Sequence, residues 1–440
     1  MGSLKWGLTS LLYQLLINAL GPLAAALATL KGRFGGRWRE RLGLTLYRAP
    51  VYAHPRLWFH AASVGEARVA AGVIFPLLKQ CPEADIFLSL YTPAGLAEAE
   101  KIFGREPRVT LTAAPLDFWG APGRALDRIR PRVLVILETE LWPNLIFQAR
   151  KRGVKLMLGA ARLTGRSFGR YLQVKSFMTK VLNSFDLIAP ADEIGRRFYA
   201  GLGAAEERLV IMGTPKYDSL LGLTERAEYQ RSLADWRQKL WGPGPAKPLL
   251  VVGSTHEGED ELVLTAWGEI RGSAGLKLIL APRHLNRARE ILEQVLHQGW
   301  SAALASDAPA PQLAELDALV LDTMGDLQTV YGLADVALVG GSLCPGLLGH
   351  NPMEPAAVRT LTIFGPHMSS FTREAGELLE GHGAVQTAPE TLARDLERWL
   401  NDPAAAAEVI EAAWNILHRH QAAGPRLAAA ALDLLKNAEK

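Results

Sequence analysis

In this 440-residue chain, acids and cations recur where short apolar runs give way to small or helix-starting residues. From His60 through Ser63 and Gly65 to Glu66, the small residues permit a tight strand-to-helix turn and put a carboxylate at a helix start. Such an acid either faces a cleft or merely complements the helix dipole. From Glu138 to Asn144 two acids, Glu138 and Glu140, directly follow the apolar run Val133–Leu137, and Pro143 suits a first helical turn. They read either as chemistry or as helix caps. In Gly213–Asp218 a lysine, Lys216, ends the last predicted strand of the first half, as a solvated charge or as a cation within reach of an anionic ligand.

The second half carries groups suited to phosphate. Gly253–Glu259, with Ser254 and Thr255, follows an apolar strand and opens a helix, so its amides and hydroxyls can meet an anion. Pro282 and Arg283 end the next strand, and Met324, Gly325 and Asp326 follow the one after, offering a guanidinium, amides and an acid to a nucleotide. The most specific stretch runs from Gly340-Gly341-Ser342 to Gly349, His350, Asn351, Pro352, Met353 and Glu354, a Gly-rich loop leading into a helix. Glu354 there either accepts hydrogen bonds from ribose hydroxyls or caps its own helix.

The elements that must position these groups form a βα succession. Strands are predicted at 57–61, 85–90, 109–113, 133–137, 155–160, 187–190 and 209–212, then at 249–253, 277–281, 318–322, 336–340 and 360–364, with helical periodicity between them. Such a pattern gives parallel sheets covered by helices, with function at the strands' carboxyl ends. The expected division is an anchor and basic segment over 1–47, a Rossmann-like domain over 48–219, a linker over 220–247 marked by Gly242, Pro243, Gly244 and Pro245, a second Rossmann-like domain over 248–402, and a helical tail over 403–440.

From Trp6 to Leu30 no residue is charged, long enough for a helix to span a membrane or to lie half-sunk in one leaflet. Lys31, Arg33, Arg37, Arg39 and Arg41 follow, which favours a cytoplasmic body against anionic head groups. The two cysteines, Cys81 and Cys344, lack any paired or metal-ligand spacing, which argues against a disulfide framework or zinc site. Net charge is only +3, and no basic-aromatic repeat suggests nucleic acid.

Taken in order, HAASVGE, ETELWPN, ARLTGRS, PKYD, GSTHEGE, APRH, DTMGDL, GGS and GHNPMEPA resemble the Kdo transferases of bacterial lipopolysaccharide synthesis, over a span reaching about residue 385. The resemblance implies a GT-B α/β fold, two facing Rossmann-like domains with an interdomain cleft, behind an N-terminal membrane-anchor helix. It implies transfer of 3-deoxy-manno-octulosonic acid (Kdo) from CMP-Kdo onto a lipid A precursor at the cytoplasmic face of the inner membrane, with inversion and without metal or cofactor. By matching motif, Glu66 is implied as proton acceptor and Glu138 and Lys216 as transition-state stabilisers. Pro282, Arg283, Met324, Gly325, Asp326, Asn351, Pro352, Met353 and Glu354 are implied as the CMP site, with Ser254, Thr255 and His350 beside them. Departures are Leu348 before Gly349 where the family has a second glycine, Asp326 for the commoner glutamate, and Thr214-Pro215 before Lys216. The rival readings are another GT-B enzyme, such as a nucleotide-sugar epimerase or a transferase with a uridine donor, and a silent anchored binding protein.

Overall fold

The computed structural model describes residues 36–45, 55–118, 120–307 and 313–438, together with Tyr13, Leu15, Ile17, Asn18, Ala19 and Gly21. The chain divides into two compact units, Met1–Asp218 with His420–Lys440, and Ser219–Arg419.

In the first unit, β1 (Arg56–Ala61), β2 (Asp85–Leu90), β3 (Val109–Ala113), β4 (Val133–Leu137), β5 (Lys155–Ala161) and β6 (Leu187–Pro190) form a parallel sheet of order β3-β2-β1-β4-β5-β6. Parallel neighbours require crossover helices, which bury both faces, and β1, β2 and β4 are accordingly buried along their whole length. One face packs under the helix Val64–Gln80 through Val69, Val73 and Leu77, the other under Phe177, Leu182 and Tyr199.

The second unit holds β7 (Leu249–Thr255), β8 (Lys277–Pro282), β9 (Ala302–Leu304), β10 (Ala318–Val320), β11 (Val336–Val339), β12 (Leu361–Phe364) and β13 (Val385–Gln386), all parallel, in the order β13-β12-β11-β7-β8-β10-β9. The alternation of strands and helices is as expected, with local differences. Residues 209–212 contribute only a single bridge, Leu209 to Ile188, and Val210 and Ile211 are exposed. β9 and β13, three and two residues long, have too little pattern to be read from sequence.

Residues 220–247, expected as a linker, contain the helix Ala227–Trp241, whose Tyr229, Trp236, Leu240 and Trp241 are buried against β7 and β8 of the second unit. The expected tail is divided. The helix Pro403–His418 belongs to the second unit, whereas the helix Ala423–Asn437 returns to the first and packs on Val64–Gln80 through Leu427, Ala428 and Ala431. Asp218 receives this helix, accepting from the amides of Ala423 at 3.3 Å and Gly424 at 2.9 Å.

The anchor expected over 1–47 lies for the most part outside the described residues, and among the described residues no helix is long and apolar enough to cross a membrane. One member of the basic stretch differs from expectation: Arg41 is buried and donates through Nη2 to the Tyr91 carbonyl at 2.9 Å, so it is not a lipid-facing cation.

The returning helix lies so close to Val64–Gln80 that a Cβ on Gly424 would stand 2.0 Å from the Gly72 carbonyl oxygen. Gly424→Ala must push the two backbones apart, at a cost of about 1–3 kcal/mol. We expect the thermal midpoint of the first unit to fall by roughly 3–10 °C in calorimetry. Gly169→Ala, in the helix Gly165–Leu172 with nothing within 4 Å of its added methyl, should leave it unchanged or slightly raised.

Candidate active site

In the first unit β1 ends at Ala61, and Ser63 caps the helix that begins at Val64. Glu66, in its first turn, closes a reciprocal cap: its amide donates to Ser63 Oγ at 3.3 Å, while its carboxyl accepts from the Ala62 amide at 2.7 Å and from Ser63 Oγ at 3.1 Å. The capping reading is therefore right about geometry and incomplete about environment, because the side chain is buried beside two further acids. Burial, then the charge of Glu140 and more weakly that of Glu138, push the Glu66 carboxyl up to about 7, against the opposing pull of the Ala62 amide and Ser63.

Glu138 follows β4 with a left-handed backbone, φ 54°, a conformation that costs a non-glycine residue energy and turns the chain sharply at the sheet edge. Its Oε1 lies 3.2 Å from Lys216 Nζ. The lysine is held in a short 3₁₀ turn, Pro215–Tyr217, capped by Thr214, with Pro215 pressed against Gly72 of the helix that carries Glu66. The structure thus brings Glu66, Glu138 and Lys216, separated by 150 positions in sequence at the extremes, to one edge of one sheet.

Glu140 was not among the expected site residues. It accepts from Trp142 Nε1 at 2.8 Å, and burial followed by the charge of Glu138 raises its pKa. The signal available in sequence is the pair of acids after one strand, of which the family motif credits Glu138 alone. Tyr91 and His60 flank Trp142, at ring separations of 5.0 Å and 6.3 Å. His60 is fully enclosed, bonded to Ser89 Oγ, and burial lowers it to about 4, so it is a neutral packing group.

In the second unit four adjacent strands, β11-β7-β8-β10, release their loops at one edge. Ser254 has a left-handed backbone, Thr255 is buried, and the Thr255 carbonyl accepts from the Arg283 amide at 3.0 Å, so the Ser254-Thr255 and Pro282-Arg283 turns lie side by side. Asn351 accepts from the Met353 amide and donates to Glu354 Oε1 at 3.3 Å. Burial raises the Glu354 carboxyl, partly offset by Asn351 and by the charge of Arg283, which also bears on His350. Pro282, Arg283, His350, Asn351 and Glu354 are therefore one cluster.

His256, not singled out from sequence, joins it: His256 Nε2 and His350 Nε2 are 2.9 Å apart, so one ring must donate and the other accept. Burial first, then neighbouring positive charge, lowers His350 to about 4. Pro352 starts the short helix, while Met353 is fully buried and can offer a ligand only its backbone. Met324 stands exposed beside Gly325, φ 96°, and Asp326 is held by Trp236 Nε1 at 3.1 Å and Thr323 Oγ1 at 2.6 Å.

One expectation changes. The amides after Gly340 are not open to phosphate, because the fully buried Glu259 carboxylate takes them: Gly341 at 2.6 Å, Ser342 at 2.9 Å and Leu343 at 2.9 Å, with the His256 amide at 3.0 Å. Glu259 is thus a brace between two loops.

A family model described as 3-Deoxy-D-manno-octulosonic-acid transferase (kdotransferase) matches residues 36–219. The chain is 31% identical over 430 residues to a 3-deoxy-D-manno-octulosonic acid transferase of Haemophilus influenzae, covering 96% of this chain and 97% of that one. It is 32% identical over 426 residues to one of Bordetella pertussis, covering 92% and 95%. Among solved structures it is similar to the UDP-GlcNAc 2-epimerase of Neisseria meningitidis, with TM-score 0.57, 10% identity and coverage of 87% of this chain and 100% of that one. A glycosyltransferase of Rickettsia africae gives TM-score 0.53, 9% identity and coverage of 88% and 100%. Likeness at such identity shows the fold alone, two parallel-sheet α/β domains of the GT-B kind.

A carboxyl whose pKa rises from 4.5 to about 7 on folding keeps its proton longer in the native state. Stability from this group is therefore full at low pH and is lost as pH rises from its unfolded to its folded pKa, by on the order of 2–3 kcal/mol. Glu66→Gln removes that dependence, so denaturant unfolding should show the variant gaining on the wild type between pH 4 and pH 8. A constant difference across that range would mean that Glu66 is not desolvated.

Proposed function

Because the chain belongs to the 3-deoxy-D-manno-octulosonic acid transferase family, we propose that it moves Kdo from CMP-Kdo, with inversion, onto a lipid A precursor of the lipid IVA type in lipopolysaccharide synthesis. The observation that carries this reading is the Glu66 carboxyl, buried among acids and poised at about 7. The acceptor's primary hydroxyl is too weak an acid to ionise unaided, so a carboxylate must take its proton as the new bond forms, and a base is most effective with a pKa near the working pH.

Glu138 and Lys216 then stabilise the charge that separates as CMP departs from an oxocarbenium-like centre. The lysine, 3.2 Å from Glu138, also places a positive charge beside the acids around Glu66. CMP is held by the second unit. Arg283 meets phosphate or the sugar's own carboxylate, Glu354 accepts from ribose hydroxyls, and Ser254, Thr255, Pro282, Met324, Gly325, Asp326, His350, Asn351, Pro352 and Met353 shape the pocket. The transfer uses neither metal nor cofactor. Since the acceptor is a membrane lipid, the uncharged amino-terminal stretch holds the enzyme at the cytoplasmic face of the inner membrane, where the search for acceptor is two-dimensional.

Replacing Glu66 by Gln should lower transfer of labelled Kdo from CMP-Kdo to lipid acceptor by about 10²–10⁴-fold, with CMP-Kdo affinity close to wild type. Turnover near normal in that variant would discard Glu66 as the base. In the wild type kcat should rise with pH up to about 7, as Glu66 loses its proton, and then level. Deleting residues 1–30 should move the protein from the membrane to the soluble fraction on cell fractionation, and continued retention would refute attachment through that stretch.

A further inference from the structure

Asp117, in the turn after β3, is 2% exposed and does not belong to the acid cluster. Its Oδ1 accepts from the Leu145 amide at 2.9 Å and its Oδ2 from the Asn144 amide at 2.9 Å. It thereby caps the helix Pro143–Lys151, whose own cap residue, Trp142, supplies no side-chain bond. A third donor comes from far away in sequence: the Tyr13 hydroxyl reaches Asp117 Oδ2 at 2.6 Å. Burial pushes the Asp117 carboxyl up to about 6, and the Tyr13 hydroxyl and the two amides all work against that rise.

Tyr13 is fixed in place by packing. Its ring lies 5.6 Å from that of Phe177. Four residues on, Ile17 packs against Leu116 and Phe118. Four further on, Gly21 lies so near that a Cβ would stand 2.9 Å from the Phe118 ring. Tyr13, Ile17 and Gly21 are helical and share one face at this spacing, while Leu15 is 60% exposed. Tyr13, Ile17 and Gly21, which fall within the stretch read from sequence as an anchor, thus dock on the first unit.

The helix that Asp117 caps begins immediately after Glu140 and Trp142, which are themselves bonded at 2.8 Å. We infer that Tyr13 is a positioning residue for the acid cluster, acting through Asp117 and the start of the helix Pro143–Lys151 on Glu140 and hence on Glu66. The amino-terminal segment therefore has a duty in turnover as well as in attachment. This inference rests on the transfer reading given above for Glu66.

The test uses the full chain in detergent micelles, where attachment to a bilayer no longer matters, and compares Tyr13→Phe with Leu15→Gln on the opposite face. Tyr13→Phe should lower kcat by on the order of tenfold with KM for CMP-Kdo unchanged, and hydrogen exchange at the amides of Asn144 and Leu145 should quicken. Leu15→Gln should change neither. A kcat for Tyr13→Phe within twofold of wild type, or an equal loss in Leu15→Gln, would overturn the inference. Exchange that stays slow in Tyr13→Phe would overturn it as well. A wild type that transfers no Kdo would sink the transfer reading instead, while the exchange experiment would still report on Asp117.

Discussion

Backbone amides left unpaired at the starts of helices and in the loops after parallel strands must find acceptors, and in this chain buried or half-buried carboxylates supply them. Glu66 serves the Ala62 amide, Asp117 serves Asn144 and Leu145, Asp192 serves Gly195, Asp218 serves Ala423 and Gly424, and Glu259 serves the amides of Gly341 to Leu343. Each such acid loses water and gains N–H donors, and the balance of the two decides whether it is a fixed charge or a group that holds a proton. Glu66 has one backbone donor and acidic neighbours, so desolvation prevails. Structure and chemistry share one residue type here because the same sheet edge demands both.

The two units reach opposite electrostatic outcomes at corresponding edges. The first gathers carboxylates, with Lys216 drawn in against Glu138 to limit their repulsion. The second gathers imidazoles and Arg283 around Glu354, and burial lowers His256 and His350. One N–H of the imidazole pair is spent between the rings, and Arg283 beside them carries the positive charge of the cluster. The acid cluster and the imidazole-guanidinium cluster come from different stretches of the chain.

Much of this was legible in the order of residues. Five-residue apolar runs such as Val133–Leu137 are buried on both faces, and a strand of that kind announces itself without needing a partner. Val210 and Ile211 imitate such a run, yet they are exposed, and nothing local distinguishes them. The charged helix Ala227–Trp241 read as a join because its polar face dominates the composition, although Tyr229, Trp236, Leu240 and Trp241 form a buried stripe. At the site, Glu66, Glu138 and Lys216 stood out because each follows a strand. Glu140 followed the same strand as Glu138 but was given no role of its own, and His256 and Asp117 did not stand out, since their surroundings depend on neighbours distant in sequence. Glu259 was visible as an acid at a helix start, but its four amide partners depend on how two loops fold together.

The return of the helix Ala423–Asn437 to the first unit has a consequence for how the molecule comes into being. Leu427, Ala428 and Ala431 fill the same core as Val69 and Val73, so the first unit to leave the ribosome waits with part of its interior uncovered until nearly the whole polypeptide has been made. The second unit, whose residues are contiguous, completes its own core earlier. Biogenesis therefore runs against the order of the letters, and the half bearing the acids is sealed last.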